Sequence, residues 1–303
     1  MKPDLSVQLG SLTLKNPVIT ASGTFGFGQE WEGFYDLSML GAITVKAVTV
    51  KPRIGNPMPR TVEVTGGMLN SIGLQNPGLD AFLSDKLPYL RHFDCPVIVN
   101  MAADTVEDFC LLTERLSSAE GVHALEVNIS CPNQACGGIE FGVDPGLTHQ
   151  VVAEVRRRTS LPVIAKLSPN VTDIRIIARA AVDAGADALS LVNTYLGTAI
   201  DAETRSFRLG NRTGGLSGAC IKPMALYAVW RVAQAVSVPI IGMGGIMNAT
   251  GAVEFLLAGA SVVALGTVNF INPMAAVEVI RGIEDYLERH GFTSVKEIVG
   301  TVR

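Results

Sequence analysis

Charge and aromatic rings are scarce in this chain. Of 303 residues, 17% are Asp, Glu, Lys or Arg and 6% are Phe, Trp or Tyr, against 48% hydrophobic. So little charge excludes a disordered or nucleic-acid-coating protein. A net charge of -4, with Lys and Arg scattered, leaves no basic field to attract a phosphate backbone. No apolar run follows the first residues, MKPDLSVQLG, so no secretion signal is expected. The five cysteines, Cys95, Cys110, Cys131, Cys136 and Cys220, lack metal-ligand spacing and have no His cluster to complete a site. A reduced, cytoplasmic protein is the expectation, with most cysteines packed as small hydrophobes. There is no Walker lysine loop, no GxGxxG after the first strand and no acidic cluster suited to a metal. The charge-free span from Phe255 to Val277 has the length of a membrane helix, but Gly259, Gly266, Asn269, Asn272 and Pro273 divide it into helix end, strand, turn and new helix.

What is present is a repeat of short β-branched runs and amphipathic segments. PVITAS (17–22), AITVKA (42–47), PVIVN (96–100), ALEVN (124–128), PVIAKL (162–167), ALSLV (188–192), PIIGM (239–243) and VVALG (262–266) are apolar on both faces. Strands of a parallel sheet covered on both sides read this way. Helical patterns run over Val171–Ala184, Lys222–Ala235 and Ala249–Leu257. Two of the helices end in a Gly-Ala step, where glycine suits the left-handed C′ position. Eight units and no dinucleotide fingerprint favour a closed TIM (β/α)8 barrel over an open doubly wound sheet, with all of 1–303 as one domain. SVQLGSLTLKN alternates around a Gly-Ser turn and is read as a hairpin closing the barrel floor. Two connections, about 49–78 and 195–217, are too long for turns and suit functional loops on the active-site face.

The C-terminal ends of these strands carry Ser22, Lys46, Asn100, Asn128, Lys166 and Asn193. Buried amide and ammonium groups must be satisfied, by one another or by a ligand. Gly244-Gly245 and Gly266-Thr267 follow strands seven and eight, where barrels bind phosphate through backbone N–H groups that only glycine allows so near. With no nucleotide-triphosphate loop present, such a phosphate belongs to a cofactor. A lysine at the mouth could form a Schiff base, which makes a lyase a rival reading, with Lys166 its candidate. The other reading sets an ammonium against the electron-rich end of a reduced flavin. Cys131, between a strand and a glycine-rich loop, is by position either turn filler or a reactive group.

The motifs NSIGLQNPG, NISCPN, KLSPNVTDI, LSLVNT, GGLSG, IGMGGI and ALGTVNF, in this order along nearly the whole chain, resemble the class 1 dihydroorotate dehydrogenases, most nearly the class 1B catalytic subunit. The resemblance implies an FMN-binding barrel that oxidises dihydroorotate to orotate in pyrimidine biosynthesis. It makes Cys131 the base for the C5 proton, under a mobile cover from Pro132 to Gly142, while FMN takes hydride from C6. It gives Cys136 no role. Carried over residue by residue, it implies that Asn70, Ser71, Ile72, Gly73, Leu74, Asn128, Asn133, Asn193 and Thr194 hold the substrate, with Lys46 pairing its charge. For FMN it implies Ser22, Lys46, Ala47, Asn100, Asn128, Lys166, Val192 and Gly218, with Gly244, Gly245, Gly266 and Thr267 at the phosphate. Val192 stands where isoleucine is more usual, and ALGTVNF has valine where alanine is usual. Class 1B further implies a separate subunit carrying FAD and a 2Fe-2S cluster that passes electrons to NAD, in a heterotetramer of two chains of each kind. The membrane segment of class 2 is not expected here. The alternatives are a class 1A homodimer reducing fumarate, the Schiff-base lyase, and a subunit that keeps FMN only for structure.

Overall fold

The computed structural model describes residues 2–130, 132–133 and 139–303. Eight parallel strands form one sheet: β1 (Val18–Thr20), β2 (Ile43–Val48), β3 (Val97–Met101), β4 (Ala124–Asn128), β5 (Val163–Lys166), β6 (Ala188–Leu191), β7 (Ile240–Met243) and β8 (Val262–Leu265). From β2 onward each pairs with the next in chain order, and β8 pairs with β1. At the seam between β1 and β2 there is one bridge, Ile19 to Ala42. There the Thr20 hydroxyl accepts from the Thr44 amide at 2.9 Å and donates to the Thr44 carbonyl at 3.2 Å, closing the ring. The expected eight strands are thus found to within two residues at each end, and the fold is a (β/α)8 barrel.

The strands are Val-, Ile-, Leu- and Ala-rich because helices cover their outer faces while side chains fill the interior, so neither face meets water. Those helices start where side-chain oxygens satisfy free N–H groups. Thr105 caps α1 (Val106–Ser117), Asp144 caps α2 (Pro145–Arg156), Asp173 caps α3 (Ile174–Asp183) and Asn248 caps α5 (Ala249–Leu257). Between these last two, α4 (Lys222–Ala233) starts with Pro223 in its first turn, and α6 (Ala275–His290) closes the series. Gly185 and Gly259 have φ of +96° and +115°, as the Gly-Ala steps require. The charge-free span breaks into the end of α5, β8, a 3-10 turn and the start of α6. Among the described residues no helix is long and apolar enough to cross a membrane.

The N-terminal hairpin pairs Val7–Leu9 with Leu12–Leu14. Its turn glycine, Gly10, lies against Pro162 and Asp187, just before β5 and β6, so the hairpin does close the floor. Full burial of Leu9 and Leu14 contributes roughly 1.5–3 kcal/mol each to holding it there. The two long connections are more ordered than loops. They contribute Thr61–Val64, Gly67–Asn70, Tyr195–Thr198 and Thr213–Ser217 to one four-stranded antiparallel sheet, in the spatial order 195–198, 213–217, 67–70, 61–64. Two of its pairings are local hairpins, but the one that makes it a single sheet joins Asn70 to Gly215, 145 residues apart, where no local pattern betrays a partner.

Candidate active site

One cavity of about 740 Å³ opens at the C-terminal ends of the barrel strands, between them and the four-stranded sheet. Every expected site residue outside 131–133 lines it: Ser22, Lys46, Ala47, Asn70, Ser71, Ile72, Gly73, Leu74, Asn100, Asn128, Lys166, Val192, Asn193, Thr194, Gly218, Gly244, Gly245, Gly266 and Thr267. Cys131 lies outside the described residues, as do Cys136, Gly137 and Gly138 of the expected cover. Asn133 pairs through its backbone with Ile139; its side chain is outside the described set.

Three groups can be distinguished in the lining. On the cavity floor, Lys166 donates to the Ser22 hydroxyl at 3.2 Å, from strand β5 across to a residue two positions past β1. Asn100 is wholly buried, and its amide nitrogen donates to Glu126 while its carbonyl oxygen has no hydrogen-bond partner among the described residues. A buried acceptor without a partner is rare, and Asn100 is among the residues that line the cavity, so its oxygen is disposed to take a ligand N–H.

At one side lies a glycine cradle. A Cβ at Gly245 (φ +74°) would stand 2.7 Å from the Lys222 backbone nitrogen, and one at Gly244 would stand 2.7 Å from the Ala225 Cβ. Backbone therefore approaches the cavity as only glycine permits, at the start of α4. Next to it the Thr267 hydroxyl donates to Ser217 Oγ at 2.8 Å. The result is a concave cradle lined largely by backbone.

The third group is the amide ring. Asn193 donates to Ser130 Oγ at 3.0 Å and to Asn128 Oδ1 at 3.4 Å, while its own oxygen accepts from the Thr194 amide at 2.8 Å. Asn70 donates to the Gly215 carbonyl at 3.2 Å, so the sheet holds it over the cavity. Lys46 emerges where the β2–β3 register shifts between Val45 and Val48, an irregularity of the kind that re-aims a side chain. Burial pulls the Lys46 ammonium below its usual range; Glu30 partly opposes this and Arg60 adds to it. Burial raises the Glu140 carboxyl, also in the lining.

Two residues escaped the sequence reading although their motifs were in view. Asn76 accepts from the Thr49 and Gly78 amides at 3.2 and 2.9 Å and donates to Thr49 Oγ1 and the Leu74 carbonyl at 2.8 and 2.7 Å. It thereby fixes the 70–78 segment, including Leu74 with φ +55°. Asn170 donates to the Thr194 carbonyl at 3.1 Å and accepts from the Leu196 amide at 2.9 Å, tying the end of the KLSPN motif to the other loop. Their signal was an amide inside a glycine- and proline-rich loop, where Asn commonly bonds backbone.

A family model described as dihydroorotate dehydrogenase matches residues 4–287. Among curated proteins, the chain is 56% identical over 302 residues to a protein of Geotalea daltonii, covering 100% of this chain and 99% of that one. It is 56% identical over 300 residues to one from Desulforudis audaxviator, covering 99% and 98%, and 55% identical over 300 residues to one from Desulforamulus reducens, covering 99% of each. All three bear the name dihydroorotate dehydrogenase B (NAD(+)), catalytic subunit. With its motifs in order around one cavity and a match across most of its length, this chain belongs to the dihydroorotate dehydrogenase family.

Proposed function

We propose that this protein oxidises (S)-dihydroorotate to orotate in pyrimidine biosynthesis, as the FMN-carrying catalytic subunit of a class 1B enzyme. The observation that carries the reading is the convergence of a glycine cradle, a buried lysine and a ring of asparagines on one cavity. FMN fits this set. The cradle at Gly244, Gly245, Gly266 and Thr267 suits its phosphate, and the open acceptor of Asn100 suits an N–H of its ring. Ser22, Lys46, Ala47, Asn128, Lys166, Val192 and Gly218 complete the holding set. When bound, FMN supplies the acceptor for the hydride leaving C6.

The rest of the work belongs to side chains. Asn70, Asn128, Asn133, Asn193 and Thr194, with backbone from Ser71 to Leu74, hold a substrate edge that alternates carbonyl oxygens and N–H groups, because each Asn offers a donor and an acceptor. Lys46 pairs the substrate carboxylate. Cys131 takes the C5 proton, as a thiol of ordinary pKa near ~8.5 can when its surroundings favour the thiolate. Support for its place is indirect: Ser130, the residue before it, lines the cavity and is bonded by Asn193. Electrons then leave to NAD through a separate subunit with FAD and a 2Fe-2S cluster, in a cytoplasmic heterotetramer. We assign 1–303 to one barrel domain.

Anaerobic titration of the purified yellow protein with dihydroorotate, followed at the flavin band near about 450 nm, tests this. Bleaching supports cofactor and substrate together. A yellow protein that stays yellow rejects the substrate, and a chain that takes up no FMN rejects the cofactor. Co-purification with a flavin and iron–sulfur subunit separates class 1B from a fumarate-reducing homodimer.

A further inference from the structure

Glu126 has no place in the reading above, yet it is the most buried carboxylate among the described residues, at 2% exposure. It lies on β4 two residues before Asn128 and so on the same face of the strand. A carboxylate removed from water is costly unless it is paired and hydrogen-bonded. Three other strands serve this one. Asn100 lies directly opposite Glu126 in the β3–β4 register and donates to its Oε2. Ser190 of β6 donates to its Oε1 at 2.7 Å. Lys166 of β5 brings its ammonium to 3.7 Å from Oε2. Lys166 and Asn100 line the cavity, whereas Glu126 and Ser190 do not. The carboxylate therefore stands behind the two groups that would face the cofactor.

We propose that Glu126 is a positioning residue for the flavin site, holding Lys166 and Asn100 toward the cofactor and balancing the charge beneath it. The inference rests on the FMN reading. Because a carboxylate only accepts hydrogen bonds, the Asn100 amide must turn its N–H to Glu126 and leave its oxygen as acceptor for the ligand. That explains why the Asn100 oxygen is open. Because Glu126 is paired with Lys166, the flavin meets a balanced ion pair in place of a full positive charge. Its removal leaves the ammonium unopposed near the ring, which favours the negatively charged reduced flavin.

The test is the two-electron midpoint potential of the FMN-loaded protein, measured by dye equilibration. In Glu126→Gln the reduced-to-oxidised ratio at a given potential rises about tenfold, a positive shift of about 30 mV for this couple. In a Lys166→Met background the same substitution gives a shift of clearly different size, the non-additivity expected of two charges in contact. An unchanged potential in Glu126→Gln overturns the inference while leaving the FMN reading intact. An equal shift in both backgrounds also overturns it, since Glu126 would then act without Lys166. If Glu126→Gln does not yield folded protein, Glu126→Asp carries the test: drawing the carboxylate back shifts the potential the same way by a smaller amount, and no shift overturns the inference. A wild-type chain that binds no FMN overturns both readings together.

Discussion

The side-chain amide of Asn193 reaches Ser130 Oγ at 3.0 Å, linking the mouth of β6 to the residue that precedes Cys131. The two residues are 63 positions apart, and β5 lies between their strands. The bond anchors the chain at the cavity rim where a proton-abstracting group is needed. Cys131→Ala is expected to retain FMN but to slow flavin reduction by dihydroorotate at least ~10²-fold, the usual loss for a general base. Stopped-flow reduction under anaerobic conditions measures this, and near-normal rates would remove Cys131 from the mechanism.

Lys46 gives a pH dependence with a definite sign. Burial lowers its pKa from 10.5, so in the folded protein the ammonium loses its proton earlier than an exposed lysine would. In the ligand-free protein the cost of the buried charge is fully present at neutral pH. It is relieved as pH rises through the lowered pKa toward 10.5, so this group adds stability in that window. Orotate binding has the opposite slope, because the anionic ligand needs the ammonium. Affinity should fall on the alkaline side below pH 10.5 in the wild type and become flat there in Lys46→Met. The variant should bind about thirtyfold or more weakly, as expected for removing one partner of a desolvated charge pair at about 2–5 kcal/mol. Titration of orotate against the flavin spectrum across pH checks both slope and size.

Gly245→Ala tests the cradle. The new methyl carbon would stand 2.7 Å from the Lys222 backbone nitrogen and 2.9 Å from the Gly218 carbonyl, at φ +74°. Backbone must shift to admit it, and the cradle opens. The expected outcome is a protein purified largely without bound flavin, with FMN affinity reduced at least about tenfold or ~1.4 kcal/mol. Full yellow colour at wild-type occupancy would exclude this loop from the phosphate site.

Asn76→Ala would strip partners from two backbone N–H groups and from the Leu74 carbonyl. Asn76 is 6% exposed, so water replaces those bonds poorly. Leaving buried groups unsatisfied costs about 1–3 kcal/mol each, and partial relaxation should leave a loss of about 2–4 kcal/mol. The denaturation midpoint in urea should fall, and the Michaelis constant for dihydroorotate should rise, because the 70–78 segment loses its clamp. Unchanged stability would show that the loop is held from elsewhere.

Much of this protein could be read locally. β1 to β8 were found as apolar runs because parallel strands covered on both faces must be apolar throughout, which leaves a continuous signal. Gly185 and Gly259 marked helix ends because a left-handed residue there is nearly always glycine. Lys46, Asn100, Asn128, Lys166 and Asn193 stood out as polar groups where burial was expected. What could not be read was pairing. Asn70 opposite Gly215, 145 residues away, is decided by where distant segments meet.

The sequence by itself determined the strand order, the direction of each strand and the face of the barrel on which its polar residues gather. These follow from periodicity and from the fixed handedness of strand–helix–strand units. Only the tertiary structure decided which polar groups satisfy one another and which are left for a ligand. Glu126, an unremarked residue inside an apolar run, proved to join Asn100, Lys166 and Ser190 from three separate strands. Closing the sheet into a ring brings those strands within hydrogen-bond reach, and hydrogen bonding depends on distances of about 3 Å that no spacing along the chain encodes.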